Sequence, residues 1–264
     1  MSLAAAAREP RLIQLADVLR VLVEKEIKVR YKSSWLGYLW SVANPLAFTI
    51  LYFLVFAVYL RITVPGYPYA LFLIAGLFPW QWFANGVNTA PGVFLANASL
   101  IKKLRFPRNL LVLSVVMNEG IHFALSLPVI VVALLIYGLL PSWTWLIGLP
   151  LLMLAQALTV YGLAVMIASV NLFFRDLERL TSLMTTFLFF LTPVVYPLSQ
   201  IPDQYRILIY LNPAAPLIIS WQQLFLSGRL PATFLALACA YAVIAAVLGS
   251  LVFRKLSWKF AEVV

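Results

Sequence analysis

Three amide side chains interrupt an apolar stretch that reads AGLFPWQWFANGVNTAPG. Gln81, Asn85 and Asn88 stand at positions i, i+4 and i+7, so one face of a helix carries all three. Amides that face hydrocarbon lose their hydrogen bonds to water, at a cost of several kcal/mol each. These amides must therefore meet protein or water. Two uses remain open, which are hydrogen bonding between helices and the lining of a pore or substrate path.

A second polar group lies in the apolar stretch VMNEGIHFALS. Glu119, His122 and Ser126 stand at positions i, i+3 and i+7, again on one helix face. An ionisable side chain inside a membrane-spanning helix points to a functional site, and His122 is the expected partner of Glu119. A proton relay and a structural salt bridge to a neighbouring helix are both compatible with this pattern.

Positive charge is concentrated in the segment NASLIKKLRFPRNLL, which has four cations and no acid. Such a cluster keeps a loop in the cytoplasm. The segment is also long enough for about two helical turns before Pro107 ends the helix. In that helix Leu100, Ile101 and Leu104 can pack on protein while Lys102, Lys103 and Arg105 face the cytoplasm. The fourth cation, Arg108, follows Pro107.

The composition places these groups in a membrane protein. The chain has 264 residues, of which 64% are hydrophobic and 11% are charged. A soluble domain has about 45–50% apolar and about 25% charged residues. The net charge of +10 does not indicate nucleic acid, because the cations lie between apolar runs and not on one soluble face. We therefore expect membrane lipids, and no nucleic acid, around the chain.

The apolar runs are long enough to cross a membrane, and they predict an all-α membrane protein with six transmembrane helices. The predicted spans are 37–60, 69–95, 110–139, 144–173, 180–196 and 231–253. A single domain, 1–264, is expected, with a cytoplasmic amphipathic N-terminus at 1–36 and a six-span core at 37–264.

The segments outside the spans have predicted structures of their own. Leucines at helical spacing predict an amphipathic helix in the cytoplasmic interface; they are Leu12, Leu15, Leu19 and Leu22. Between the fifth and sixth spans, Asn212-Pro213 and Pro216 break any single helix. Two short re-entrant gate helices that dip into the outer leaflet are predicted there. Such backbone is tolerated at membrane depth only beside protein or a water-filled cavity.

The basic residues predict the orientation of the chain. With both termini in the cytoplasm, 16 of the 19 Lys and Arg residues fall on the cytoplasmic side. Only Arg61, Arg206 and Arg229 fall outside that set. The reverse orientation would place all 16 on the wrong side, so we expect cytoplasmic N- and C-termini.

The sequence lacks the motifs of several enzyme classes. It has no G-x-x-x-x-G-K-[ST] phosphate loop, which excludes ATP hydrolysis by that route. With one histidine and one cysteine, it has no His cluster for a metal and no possible intrachain disulfide. No catalytic residue, metal or cofactor is predicted in this chain.

Several stretches together resemble the permeases of ABC transporters that export polysaccharides. In the order of that family they read RYKSSWLGYLWSVANPL, GLFPWQWFANG, SLIKKLRFPR, NLFFRDLER, LTPVVYPLSQIP and YLNPAAPL. The resemblance covers nearly the whole chain, and the set is specific. It is closest to the O-antigen export permeases of Gram-negative bacteria, with capsule and teichoic-acid export permeases as near relatives.

The resemblance implies a multi-pass permease of the bacterial cytoplasmic (inner) membrane that works as a homodimer. Each copy would pair with a separate cytoplasmic ATPase subunit, which binds ATP and Mg²⁺. The dimer would enclose a channel for a lipid-linked polysaccharide. The chain itself would be a transport subunit of lipopolysaccharide biosynthesis and not an enzyme.

The resemblance and the polar patterns together give candidate sites. The helix that couples to the ATPase would comprise Leu100, Ile101, Lys102, Lys103, Leu104 and Arg105. The interface helix and the start of the first span would contribute Arg30, Tyr31, Trp35 and Gly37. The channel or glycan path would involve Gln81, Trp82, Asn85, Asn88, Phe187, Phe190 and Tyr196. Glu119 and His122 form an intramembrane polar pair without an assigned role.

Two other functions compete with polysaccharide export. The first is an ABC permease for a small drug or lipid, which the aromatic second span disfavours. The second is a membrane-embedded glycosyltransferase or acyltransferase. Such an enzyme needs acids or histidines at the membrane surface, and only Glu119 and His122 are available. Among exported polymers, the sequence leaves O-antigen, capsule and teichoic acid open.

Overall fold

The computed structural model describes residues 9–31, 37–104 and 106–260, and within these ranges the regular secondary structure is helical throughout. The α-helices are α1 (Glu9–Tyr31), α2 (Trp40–Tyr52), α3 (Tyr69–Thr89), α4 (Ala98–Lys103), α5 (Asn109–Ile136), α6 (Trp145–Asn171), α7 (Leu177–Leu191), α8 (Arg206–Leu211), α9 (Ala215–Ser227) and α10 (Ala232–Leu256). A π-helical segment, Phe53–Tyr59, continues α2, and short helical turns extend α3 to Ala96.

Five helical segments in the described part of the chain are long and apolar enough to cross a membrane. They are Trp40–Tyr59, Tyr69–Ala96, Asn109–Ile136, Trp145–Asn171 and Ala232–Lys259. These segments correspond to the first, second, third, fourth and sixth predicted spans. The predicted all-α class is confirmed, with five candidate spans where six were expected.

The predicted fifth span, 180–196, is not confirmed as a crossing helix. The helix α7 has 15 residues, and a rise of 1.5 Å per residue makes it about 22 Å long. A hydrocarbon core is about 30 Å thick. The helix ends because Thr192 precedes Pro193, which disfavours helical backbone, and Thr192 has φ −100° and ψ 136°. The chain continues as a buried turn that includes Val194 and Val195.

The segment between α7 and α10 contains two helices separated by a break, as its prolines predict. The helix α8 ends at Leu211, and α9 begins at Ala215 with a proline in its first turn. Asn212 stabilises the break, because its Oδ1 accepts a hydrogen bond from the Ala214 N–H at 2.9 Å. Its Nδ2 donates to Thr192 Oγ1 at 2.8 Å. That these helices dip into a membrane leaflet stays a prediction.

The helix α3 is the centre of the bundle. Every residue from 71 to 80 is buried, and α3 packs against α2, α5, α6, α7 and α9. A buried amide on α6 connects this core, since Gln156 Nε2 donates to the Pro79 carbonyl at 2.8 Å. The Gln156 Oε1 accepts from the Trp221 indole N–H at 2.6 Å. One side chain thereby ties α3, α6 and α9 together.

The helix α1 packs against α5 and buries Leu22 and Val23. Its exposed side carries ion pairs, in which Glu24 lies 3.1 Å from Arg20 and 3.7 Å from Lys28. The predicted N-terminal helix is therefore present. Its position in a membrane interface is not established by these contacts and stays a prediction.

The helices α6 and α10 approach until their backbones touch. A Cβ atom added at Gly162 would lie 2.1 Å from the carbonyl carbon of Ala245. A Cβ atom added at Gly249 would lie 2.1 Å from the carbonyl oxygen of Gly162. Membrane helices associate through close van der Waals packing, and small residues make such an approach possible.

This close contact predicts that Gly162→Ala destabilises the protein. The new methyl group overlaps backbone atoms of α10, and overpacking of this kind costs about 1–3 kcal/mol. The matched control is Gly92→Ala, because a Cβ there meets nothing within 4 Å. We expect a lower thermal unfolding midpoint in detergent for Gly162→Ala alone. Equal midpoints for the two variants would contradict the packing of α6 on α10.

Candidate functional site

A polar cavity of about 350 Å³ opens between α1, α2, α3 and α5. We call it the first cavity. Its polar lining comprises Arg30, Ser41, Asn44, Gln81, Asn85, Glu119, His122 and Ser126. Its other lining residues are Trp40, Pro45, Phe78, Trp82 and Phe123. Polar and aromatic groups from four separate parts of the sequence thus meet inside an apolar bundle.

The Glu119 carboxylate organises the first cavity. Its side chain is 3% exposed, and Oε1 lies 2.5 Å from Nη2 of Arg30. Its Oε2 accepts a hydrogen bond from Asn85 Nδ2 at 3.3 Å. The Arg30 side chain is 35% exposed and reaches the cavity from the end of α1. A buried carboxylate needs both a countercharge and hydrogen bonds, and these two partners supply them.

His122 lies in the lining of the same cavity, one turn after Glu119 on α5. Its Nδ1 lies 3.1 Å from Ser41 Oγ of α2. The sequence suggested His122 as the partner of Glu119, whereas the structure gives Arg30 as the charged partner of that carboxylate. Sequence spacing could not find the pair of Arg30 and Glu119, because its members stand on helices far apart in the chain.

A second cavity of about 260 Å³ adjoins the first along α3 and is bounded by α2, α3 and α7. Asn44, Gln81 and Asn85 contribute to the lining of both cavities. Farther along α3, Asn88 Oδ1 accepts a hydrogen bond from Thr185 Oγ1 of α7 at 3.0 Å. The three amides of α3 therefore share one face, and that face runs along the two adjoining cavities.

Of the aromatic residues predicted to line the glycan path, some line one of the two cavities and others do not. Trp82 lines the first cavity and stacks on Phe123, with ring centroids 5.3 Å apart. Phe190 lines the second cavity. Phe187 is 56% exposed and is not in the lining of either cavity. Tyr196 lies in the turn after α7, where its hydroxyl donates to the Phe190 carbonyl at 2.6 Å.

The cationic segment folds as the six-residue helix α4, about 1.7 turns at 3.6 residues per turn, and it ends at Lys103, before the predicted stop at Pro107. Ile101 is buried, Leu100 is half-buried, and Lys102 and Lys103 are exposed. Leu104 follows the helix with extended backbone and is 57% exposed, so it packs less than the sequence suggested. The helix thus presents two lysines on its free side.

The start of α2 follows a turn that opens at Gly37, whose φ of +48° lies in the left-handed region favoured by glycine.

Three other residues predicted to belong to these sites lie outside the described part of the structure. They are Trp35, Arg105 and, for its side chain, Tyr31.

Two contacts of the cationic segment have no counterpart among the sequence-based predictions. Asn97, directly before α4, accepts a hydrogen bond from Lys25 Nζ of α1 at 2.6 Å. Arg108, at the start of α5, donates to the Ser257 carbonyl at 2.7 Å and lies 5.9 Å from the Phe260 ring centroid. The sequence shows these charges but not their partners. The segment is held between α1 on one side and the end of α10 on the other.

Residues 17–226, most of the chain, match the family described as ABC-2 type transporter. The chain belongs to this family. It is 45% identical over 249 residues to the O-antigen export system permease protein RfbA of Klebsiella pneumoniae. These residues are 94% of this chain and 95% of that protein. A protein of the same name from Myxococcus xanthus is 36% identical over 254 residues, or 95% and 96% of the two chains.

A more distant relative is the polysialic acid transport protein KpsM of Escherichia coli. It is 24% identical over 205 residues, which are 75% of this chain and 78% of that protein. The resemblance to polysaccharide export permeases predicted from the sequence is therefore confirmed at the level of the family. With its apolar helices, this ABC-2 transporter chain is a multi-pass membrane protein.

The ion pair in this ABC-2 transporter chain predicts an asymmetric response to substitution. Removing one partner of a buried pair costs about 3–5 kcal/mol. Arg30→Met leaves the Glu119 carboxylate buried without its countercharge, whereas Glu119→Gln leaves a partly exposed guanidinium that water can reach. We expect the thermal midpoint to fall most for Arg30→Met.

The double variant, Arg30→Met with Glu119→Gln, is the control. It removes both charges, so its thermal midpoint should recover much of what Arg30→Met alone loses. If the thermal midpoint of the double variant fell by the sum of the decreases in the two single variants, the two charges would act independently.

Proposed function

We propose that the chain is the transmembrane subunit of an ATP-driven ABC exporter that moves a lipid-linked polysaccharide, the O-antigen, across the cytoplasmic (inner) membrane. Two copies form the channel, and each copy pairs with a separate ATPase subunit that binds ATP and Mg²⁺. The names of two relatives support the polymer, since both are O-antigen export system permease proteins.

The observation that carries the proposal is the amide face of α3 beside two adjoining cavities. Amides offer both donors and acceptors to sugar hydroxyls. The flat apolar face of Trp40, which lines the first cavity and is half-exposed, suits the C–H faces of sugar rings. The two oppositely charged side chains of that lining, Arg30 and Glu119, pair with each other. Such a lining suits a polyhydroxyl polymer better than an apolar drug.

The proposed orientation places both termini in the cytoplasm, because the basic residues favour it. In this orientation the first cavity lies in the cytoplasmic half of the bundle, where Arg30 enters from α1. The helices α8 and α9 lie toward the outer side and act as the gate of the channel.

A transferase is less well supported by the same site. Its reaction would require Glu119 as an accessible acid or base, and this carboxylate is 3% exposed and engaged by Arg30 and Asn85. Another polysaccharide, such as the polysialic acid in the name of KpsM, is the second candidate substrate, since KpsM is a relative over three-quarters of the chain. Its identity of 24% favours it less than the O-antigen.

Gln81 offers a test of the proposed glycan path. Its amide contributes to both cavities and has no hydrogen-bond partner among the described residues, so Gln81→Leu removes polar lining without breaking an internal contact. We expect normal amounts of protein in the membrane and at least about tenfold less polymer exported, the loss expected when a sugar loses hydrogen bonds worth about 1.5 kcal/mol.

The control is Gln204→Leu, the same change at an exposed position away from both cavities. It should leave export unchanged. Normal export with Gln81→Leu would remove the amide face from the transport path and leave it to helix packing.

The helix α4 is the proposed point of contact with the ATPase. Lys102 and Lys103 are exposed and form no ion pair within the described residues, so they are available to acidic groups of a partner. Single exposed ion pairs are worth only about 0–1 kcal/mol. Charge reversal is more informative, because it replaces attraction across an interface by repulsion.

We therefore expect Lys102→Glu with Lys103→Glu to insert normally but to lose ATPase co-purification and export. The control is Arg254→Glu with Lys255→Glu, an exposed adjacent pair on the same predicted side of the membrane. This control shows whether the reversal of two cytoplasmic charges is by itself enough to disturb membrane insertion. Retained ATPase binding and export in the Lys102 and Lys103 variant would show that these lysines act only in topology.

A further inference from the structure

We infer that Lys25 and Asn97 are positioning residues that carry movement of α4 through α1 to the Arg30–Glu119 pair in the first cavity. The inference rests on the proposed function, in which α4 receives the motion of an ATPase. It assigns a transmitting role to α1, which would otherwise be a membrane anchor.

The first link joins α4 to α1. Asn97 is 6% exposed and lies directly before α4, where its carbonyl accepts hydrogen bonds from the N–H groups of Leu100 and Ile101 at 3.0 and 3.1 Å. Its side-chain Oδ1 accepts from Lys25 Nζ at 2.6 Å, and its Nδ2 donates to the Val93 carbonyl at 2.8 Å. Asn97 cannot move with α4 without pulling on Lys25 or breaking this bond.

The second link joins α1 to the cavity. Arg30 follows Lys25 by five residues on the same uninterrupted helix, about 7.5 Å along its axis. A helical segment of this length is stiff, so displacement of Lys25 displaces Arg30. The Arg30 guanidinium contacts Glu119 at 2.5 Å, and Glu119 accepts from Asn85 of α3 at 3.3 Å. The last member of this chain of contacts belongs to the amide face.

The contacts of the neighbouring lysine show that Lys25 differs from an ordinary surface cation. Lys28 is 79% exposed, and its ion pair with Glu24 stays within α1. Lys25 is 34% exposed and contacts both Glu26, at 2.8 Å, and Asn97. Its ammonium thus makes the polar contact between α1 and the residue that starts α4. The two lysines provide a matched pair for a test.

The test measures polymer export and ATP hydrolysis in the same reconstituted complex of the full chain with its ATPase. Lys25→Met removes the donor, and Asn97→Ala removes the acceptor. We expect each to keep complex assembly and ATP hydrolysis within about twofold of the unsubstituted protein. Export per ATP hydrolysed should fall about tenfold, as expected for the loss of one charge-assisted hydrogen bond. Lys28→Met should change neither quantity, and Lys25→Arg should restore most of the export.

A double-mutant cycle separates transmission from a general weakening of the fold. The variant with both Lys25→Met and Asn97→Ala should export as poorly as either single variant, because both remove the same contact. The inference is overturned if the two effects multiply, if Lys25→Met matches Lys28→Met, or if Lys25→Met lowers export only by lowering assembly. Failure of the proposed function looks different, since the unsubstituted complex would then show no ATP-dependent export.

Discussion

A buried carboxylate at Glu119 is the constraint on which much of this molecule depends. An ion held in a low-dielectric interior costs several kcal/mol unless a countercharge and hydrogen bonds accompany it. The countercharge is Arg30, and it comes from outside the group of long apolar helices. The helix α1 must therefore dock on α5, and Asn85 must turn its amide toward the same carboxylate. With these groups satisfied, a polar cavity can exist inside an apolar bundle.

A second buried polar side chain, on α6, is satisfied without a cavity. Gln156 is fully buried, and both ends of its amide are used, by the Pro79 carbonyl and by the Trp221 indole. The helix α3 therefore has polar groups in two settings. Toward α6 and α9 its backbone is hydrogen-bonded inside a packed core, and toward α1, α2 and α5 its open face lines the first cavity. The open face carries Gln81 and Asn85, the amides that fit transport. Under the proposed function, α3 is both the structural centre of the bundle and the wall of the transport path.

Local patterns in the sequence predicted much of this arrangement. Apolar runs predicted the all-helical class and six spans, of which the structure has five candidates, because length and hydropathy are properties of a continuous segment. Helical spacing placed the three amides of α3 on one face. The shortening of α7 had a local signal in Thr192-Pro193, which the apolar run around it outweighed. The contacts of Arg30 with Glu119 and of Lys25 with Asn97 have no such signal, because they depend on tertiary packing.

The most direct measurement of the central claim is photocrosslinking from the amide face to the polymer during export. A small photoreactive diazirine side chain would replace Gln81, and the same group would replace Val243, which is 60% exposed on α10. We predict polysaccharide covalently attached to the chain from position 81 and none from position 243, with attachment dependent on ATP. Absence of polymer at position 81 in an actively exporting complex, or equal attachment at both positions, would contradict a transport path along the amide face.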